Sequence, residues 1–89
     1  NISDFELNSI YPNPFNPSTT ISFSISNYAD INLSIYDLNG RLVDVLVDEY
    51  SSPGSYSFVW DASRLSTGMY LLTATQETSV ETRKLMLIK

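Results

Sequence analysis

The carboxylates Asp37, Asp44, Asp48, Glu49 and Asp61 are the chain's raw material for acid–base or calcium chemistry. As a functional set they are poor. Asp37 and Asn39 before Gly40 have the look of the start of a calcium loop, but the spaced downstream ligands and the closing Glu do not follow. Hydrogen bonding within a turn explains Asp37 better, and Asp61 before Ala62 and Ser63 reads as a cap accepting backbone N–H bonds. The chain has no Cys and no His, which removes disulfides, thiolate metal sites, the commonest zinc ligand and the usual neutral-pH proton shuttle. Only Ser–Lys or paired-carboxylate catalysis would remain, and neither has a supporting motif. No catalytic residue, metal site or cofactor is expected, and the chain reads as no enzyme.

With 89 residues the chain supplies one core and one domain. Its net charge of −5 repels nucleic-acid backbones and anionic lipid faces, so nucleic acid is not an expected partner. The longest apolar runs, Val45-Leu46-Val47 and Leu85-Met86-Leu87-Ile88, fall far short of the roughly 20 residues that span a bilayer, so no membrane insertion is expected. A soluble monomer is the expectation. Asn1-Ile2-Ser3-Asp4 has no basic segment leading into an apolar core, so any export signal would belong to a larger precursor.

The dominant pattern along the chain is alternation with period two, which sends every second side chain to one face of a strand. Thr20 to Ser26 places Ile21, Phe23 and Ile25 inward, and Asp30 to Tyr36 repeats the pattern after a short link that implies antiparallel return. Asp37-Leu38-Asn39-Gly40 predicts a tight turn, because Asn and Gly tolerate positive φ, and Arg41 to Asp48 continues as a strand. After the Ser51-Ser52-Pro53-Gly54 breaker, Tyr56, Phe58 and Trp60 fall on one face of the next strand. Residues 61–68 read as a crossing loop with one helical turn at most, followed by strands from Met69 to Gln76 and Val80 to Lys89, joined at Glu77-Thr78-Ser79.

With a short opening strand near Phe5 to Leu7, about seven strands result, and the fold class is all-β: an immunoglobulin-like antiparallel β-sandwich. Residues 1–10 read as linker and opening strand, and residues 11–89 as the domain proper, entered through the stiff, extended segment from Tyr11 to Pro17. On the strand from Arg41 to Asp48, taking Val43, Val45 and Val47 as inward leaves Leu42 and Leu46 on the other face, which means an exposed docking patch, a bulge or a covering loop.

Four stretches in order resemble one family. They are Tyr11-Pro12-Asn13-Pro14-Phe15 with Asn16 to Ile21; Leu33 to Val43, containing Tyr36-Asp37 and Gly40; Gly54-Ser55-Tyr56 leading to Trp60-Asp61; and Ser66-Thr67-Gly68-Met69-Tyr70. They are similar to type A C-terminal sorting domains of the type IX (Por) secretion system, and the basic-then-apolar ending Arg83 to Lys89 is similar to that family's last strand. The resemblance implies a non-catalytic domain fused behind a larger cargo. It implies passage through the periplasm and outer membrane of a Gram-negative bacterium, recognition by an outer-membrane translocon, and removal by a surface peptidase near residues 1–10, with the cargo secreted or held at the cell surface.

Within that reading Lys84, Leu85, Leu87 and Lys89 are the candidates for translocon recognition, because unpaired backbone on a terminal strand is open to strand addition. Leu85 and Leu87 have the alternative of simply facing the core. Two other functions stay open: a structural spacer or assembly module, similar to the sandwich of flagellar hook-scaffold proteins, and a carbohydrate-binding module built on Tyr11, Tyr28, Tyr36, Tyr50, Tyr56 and Tyr70. The sequons at Asn1 and Asn32 mean little in a bacterial chain.

Overall fold

The computed structural model describes residues 5–76 and 79–88. Within them the chain forms seven strands: β1 (Phe5–Tyr11), β2 (Ser18–Ile25), β3 (Ala29–Asp37), β4 (Leu42–Ser51), β5 (Gly54–Asp61), β6 (Gly68–Gln76) and β7 (Ser79–Leu87). They make two antiparallel sheets in the orders β1-β2-β5 and β4-β3-β6-β7. This is the expected immunoglobulin-like sandwich, with β4 beside β3 in the larger sheet.

Alternation puts one face of each strand into the core. On β2 Ile21, Phe23 and Ile25 are buried, on β3 Ile31, Leu33 and Ile35, on β6 Tyr70, Leu72 and Ala74, and on β7 Leu85 and Leu87. Trp60 is buried between the sheets, whereas Tyr56 and Phe58 are only half-buried, because they lie at the open side where β4 and β5 are both edge strands. The aromatic residues form a chain of contacts: Phe5 to Phe23 at 5.5 Å and Phe23 stacked on Tyr56 at 5.3 Å near one end, Phe15 to Trp60 at 5.6 Å near the other.

Three expectations need correction. The opening strand is longer than Phe5 to Leu7: it runs on to Tyr11, with Phe5 and Leu7 in the core and a register shift at Asn8. No helical turn forms in 61–68; Leu65 N–H closes a tight turn onto the Ala62 carbonyl at 3.0 Å. On β4 two bulges reset the facing: Leu33 and Ser34 of β3 oppose Val47 and Val45, and Ile35 and Tyr36 oppose Asp44 and Leu42, leaving Leu46 and Val43 as extra residues. Val43, Leu46 and Val47 therefore pack against the core while Leu42 and Val45 point to solvent.

The register gives the sandwich two unlike poles along its 37 Å axis. The chain enters at the pole where Phe5 opposes Ile25, Ile25 opposes Gly54, Ala29 opposes Ser51 and Gln76 opposes Ser79. It exits at the other, where Tyr11 opposes Thr20, Ser18 opposes Asp61, Asp37 opposes Tyr70 and Gly68 opposes Leu87. We call these the entry and exit poles.

Candidate functional site at the exit pole

Pro12, Pro14 and Pro17 offer no N–H, so the segment between β1 and β2 cannot run as a regular ladder strand, and it bends repeatedly instead of staying extended. It is held at discrete points. The buried Thr19 hydroxyl donates to the Pro12 carbonyl at 2.7 Å, and the Pro17 carbonyl accepts from Ala62 N–H at 2.9 Å.

Between those anchors the segment clasps the outer edge of β7. The side-chain amide of Asn13 sets an N–H donor beside a carbonyl acceptor and is used like a peptide group: Nδ2 donates to the Lys84 carbonyl at 2.9 Å and Oδ1 accepts from Met86 N–H at 3.1 Å. The backbone then takes over. Phe15 N–H donates to the Met86 carbonyl at 2.9 Å, and its own carbonyl accepts from Ile88 N–H at 3.0 Å, a parallel bridge between Phe15 and Leu87. The Phe15 ring is 2% exposed and lies against Trp60, so the clasp is pinned by an aromatic anchor.

The neighbouring loops are equally hydrogen-bonded. Asp37 organises its turn with one carboxylate oxygen, Oδ1, which accepts from Asn39 N–H at 2.9 Å and Arg41 N–H at 3.0 Å, while Gly40 sits at φ +83°. That φ is the reason for glycine there. Trp60 Nε1 donates to Asp44 Oδ2 at 3.2 Å and its ring meets Tyr70 edge-on at 6.1 Å. The Tyr70 hydroxyl donates to the Ser66 carbonyl at 2.7 Å, tying β6 to the loop before it. Asp61 Oδ1 accepts from Ser63 N–H at 2.9 Å, and this bond, with help from the Ser63 hydroxyl and Arg64, holds the carboxyl below its ordinary pKa.

The structure gathers Pro12, Asn13, Pro14, Phe15, Asp37, Gly40, Trp60, Asp61, Gly68 and Tyr70 at this one pole, with Tyr36 half-buried on β3 beside them. The recognition candidates separate. Leu85 and Leu87 are fully buried and face the core, Lys84 is exposed, and Lys89 lies outside the described residues. Strand addition is closed over residues 84–88, because the clasp already partners the Lys84 and Met86 carbonyls and the Met86 and Ile88 N–H groups. The tyrosines form no row: Tyr11 is exposed near the exit pole, Tyr28 and Tyr50 stack on each other at 5.8 Å at the entry pole, and Tyr70 is buried.

Sequence reasoning missed three contributors: Asn13 as a surrogate peptide, Thr19 as its anchor and Asp44 as the partner of Trp60. A Pro-Asn-Pro run does signal an amide outside any ladder, but nothing local names a partner 71 residues away.

Residues 9–89 match the family model of the secretion system C-terminal sorting domain. No curated protein matches the chain significantly. Among solved structures, the chain is similar to a part of dimeric latent PorU from Porphyromonas gingivalis, with a TM-score of 0.72 and 22% identity over 94% of this chain. The chain spans 9% of that protein's length, and the likeness is one of fold.

Proposed function

This chain belongs to the family of secretion system C-terminal sorting domains, and from that premise we propose a division of labour between its poles. The family is a non-catalytic signal for type IX secretion, which sends proteins through the outer membrane to the cell surface or beyond. On our reading the cargo joins the entry pole, ahead of Phe5, and the exit pole is presented to the outer-membrane translocon. Lys84, an exposed cation, makes contact together with Lys89. Leu85 and Leu87 act indirectly, by anchoring β7 in the core so that its outward side chains keep a fixed register.

The observation that carries this reading is the gathering of Pro12 to Phe15, Asp37, Gly40, Trp60, Asp61, Gly68 and Tyr70 at one end of the sandwich; of the motif stretches, only Gly54-Ser55-Tyr56 starts at the other. Removal by a surface peptidase fits the same polarity: Phe5–Tyr11 is a paired strand with two buried side chains, a poor substrate, so the scissile bond belongs before Phe5.

The test is a fluorescent reporter with a signal peptide, fused ahead of residue 1 in a bacterium that owns this secretion route. We expect the wild-type fusion to reach the surface or medium, Lys84→Glu to stay periplasmic, and Val80→Glu, on the same strand near the entry pole, to be exported. Equal export of both variants, or a wild-type fusion trapped in the periplasm, would remove the proposal. Deleting the last six residues is a poorer probe, because it takes away Leu85, Leu87 and the partners of the clasp, and so unfolds the domain whatever the domain does.

A further inference from the structure

The chain enters and leaves at opposite poles, so tension between its ends runs along the strand axes. β1 and β7 both run from the entry pole to the exit pole, β1 in the smaller sheet and β7 in the larger. Pulling the ends apart draws β1 toward the entry pole and β7 toward the exit pole. β1 then slides against β2 and β7 against β6, and the proline segment slides against β7.

At that last contact four hydrogen bonds cross side by side: Asn13 Nδ2 to the Lys84 carbonyl, Met86 N–H to Asn13 Oδ1, Phe15 N–H to the Met86 carbonyl and Ile88 N–H to the Phe15 carbonyl, all between 2.9 and 3.1 Å. They lie across the direction of pull and are stressed together, so none yields before its neighbours. A zipper opened from one end breaks its bonds in turn. The Phe15 ring, buried against Trp60, must also leave the core before the segment can slide.

We propose that the clasp between Asn13–Phe15 and Lys84–Ile88 is a shear clamp that keeps the domain folded while force passes between its N-terminal and C-terminal ends. Tension is transmitted from β1 to β7 through the clasp, with the β1–β2 and β6–β7 ladders in shear on either side of it. The mechanical property stands on the geometry alone. Its use, as a handle that stays folded while cargo is drawn through the envelope, rests on the sorting reading.

The measurement is constant-force unfolding of the 89-residue chain in optical tweezers, in two attachment geometries. In the first, handles sit at the two chain ends. In the second, they sit at the N-terminus and at Asn27→Cys, which labels uniquely because the chain has no cysteine. The second geometry peels β1 from β2 one pair at a time starting at Phe5–Ile25, so its first barrier falls before the clasp is loaded.

At equal force the wild-type chain should unfold more slowly end to end than in the peeling geometry. Asn13→Ala should speed end-to-end unfolding roughly ten-fold, from loss of two hydrogen bonds, and leave peeling unchanged. An Asn13→Ala chain that unfolds at the wild-type rate end to end overturns the proposal. So does one that speeds both geometries equally, which would make Asn13 a general stabiliser, and so does a wild-type chain equally weak in the two directions.

Discussion

The two poles of the sandwich are built from the same strands and differ in nearly everything else. At the entry pole the links between β2 and β3 and between β4 and β5 are short, and their bonds are local: Tyr28 stacks on Tyr50, and the Tyr56 hydroxyl donates to the Ser52 carbonyl four residues away. At the exit pole the 12–17 segment is fastened both to the loop after β5, through Pro17 and Ala62, and to the end of β7, through Asn13 and Phe15. A sandwich needs only its alternating core to fold. On the proposed reading, bracing of the exit pole by residues so far apart in sequence gives the secretion machinery a surface of defined shape.

The comparison can be broken by mutation. The largest expected effect is Trp60→Ala, which removes the ring joining Phe15, Tyr70 and Asp44. It should cost about 3–5 kcal/mol, comparable with the stability of a small domain, and leave little folded protein by denaturant titration. Asn13→Ala should cost about 2 kcal/mol for its two bonds to β7. At the entry pole Tyr50→Ala should cost under about 1 kcal/mol, an exposed stacking contact; equal losses for these two would erase the difference between the poles.

Gly40→Val comes next, at about 1–2 kcal/mol, because a β-branched residue resists a φ of +83°. Space is not the cause, since a Cβ there would meet nothing within 4 Å. The smallest effect belongs to Asp61. Its folded pKa is lowered, so its contribution is present at neutral pH and disappears as acid protonates it, below the ordinary carboxylate range. Asp61→Asn should flatten that part of the acid limb of a stability–pH curve and leave the neutral region nearly unchanged.

Where alternation is strict, structure could be read from sequence: Ile21, Phe23, Ile25 and Ile31, Leu33, Ile35 face inward as their spacing requires, and the Asp37–Gly40 turn follows from residue chemistry. β4 defeated the same rule because each bulge flips every later side chain, and Val43-Asp44-Val45-Leu46-Val47 is apolar enough to fit either facing. The motif residues were visible one by one, but their meeting at a single pole is a matter of register. In sequence the terminal strand reads as an open edge, because its closure comes from Asn13 and Phe15, which carry no local sign of pairing with residues 84–88.

The central claim, that export machinery reads the exit pole, is tested most directly by site-specific photo-crosslinking in cells that export the fusion. A photoreactive residue would replace Asn39 or Arg64 at the exit pole or Lys84 on the exit half of β7, and Tyr28, Ser52 or Val80 at the entry pole, all of them exposed. The account predicts crosslinks to envelope secretion proteins from the first three positions and none from the second three. Capture from the entry-pole positions alone, or equally from both sets, would contradict it.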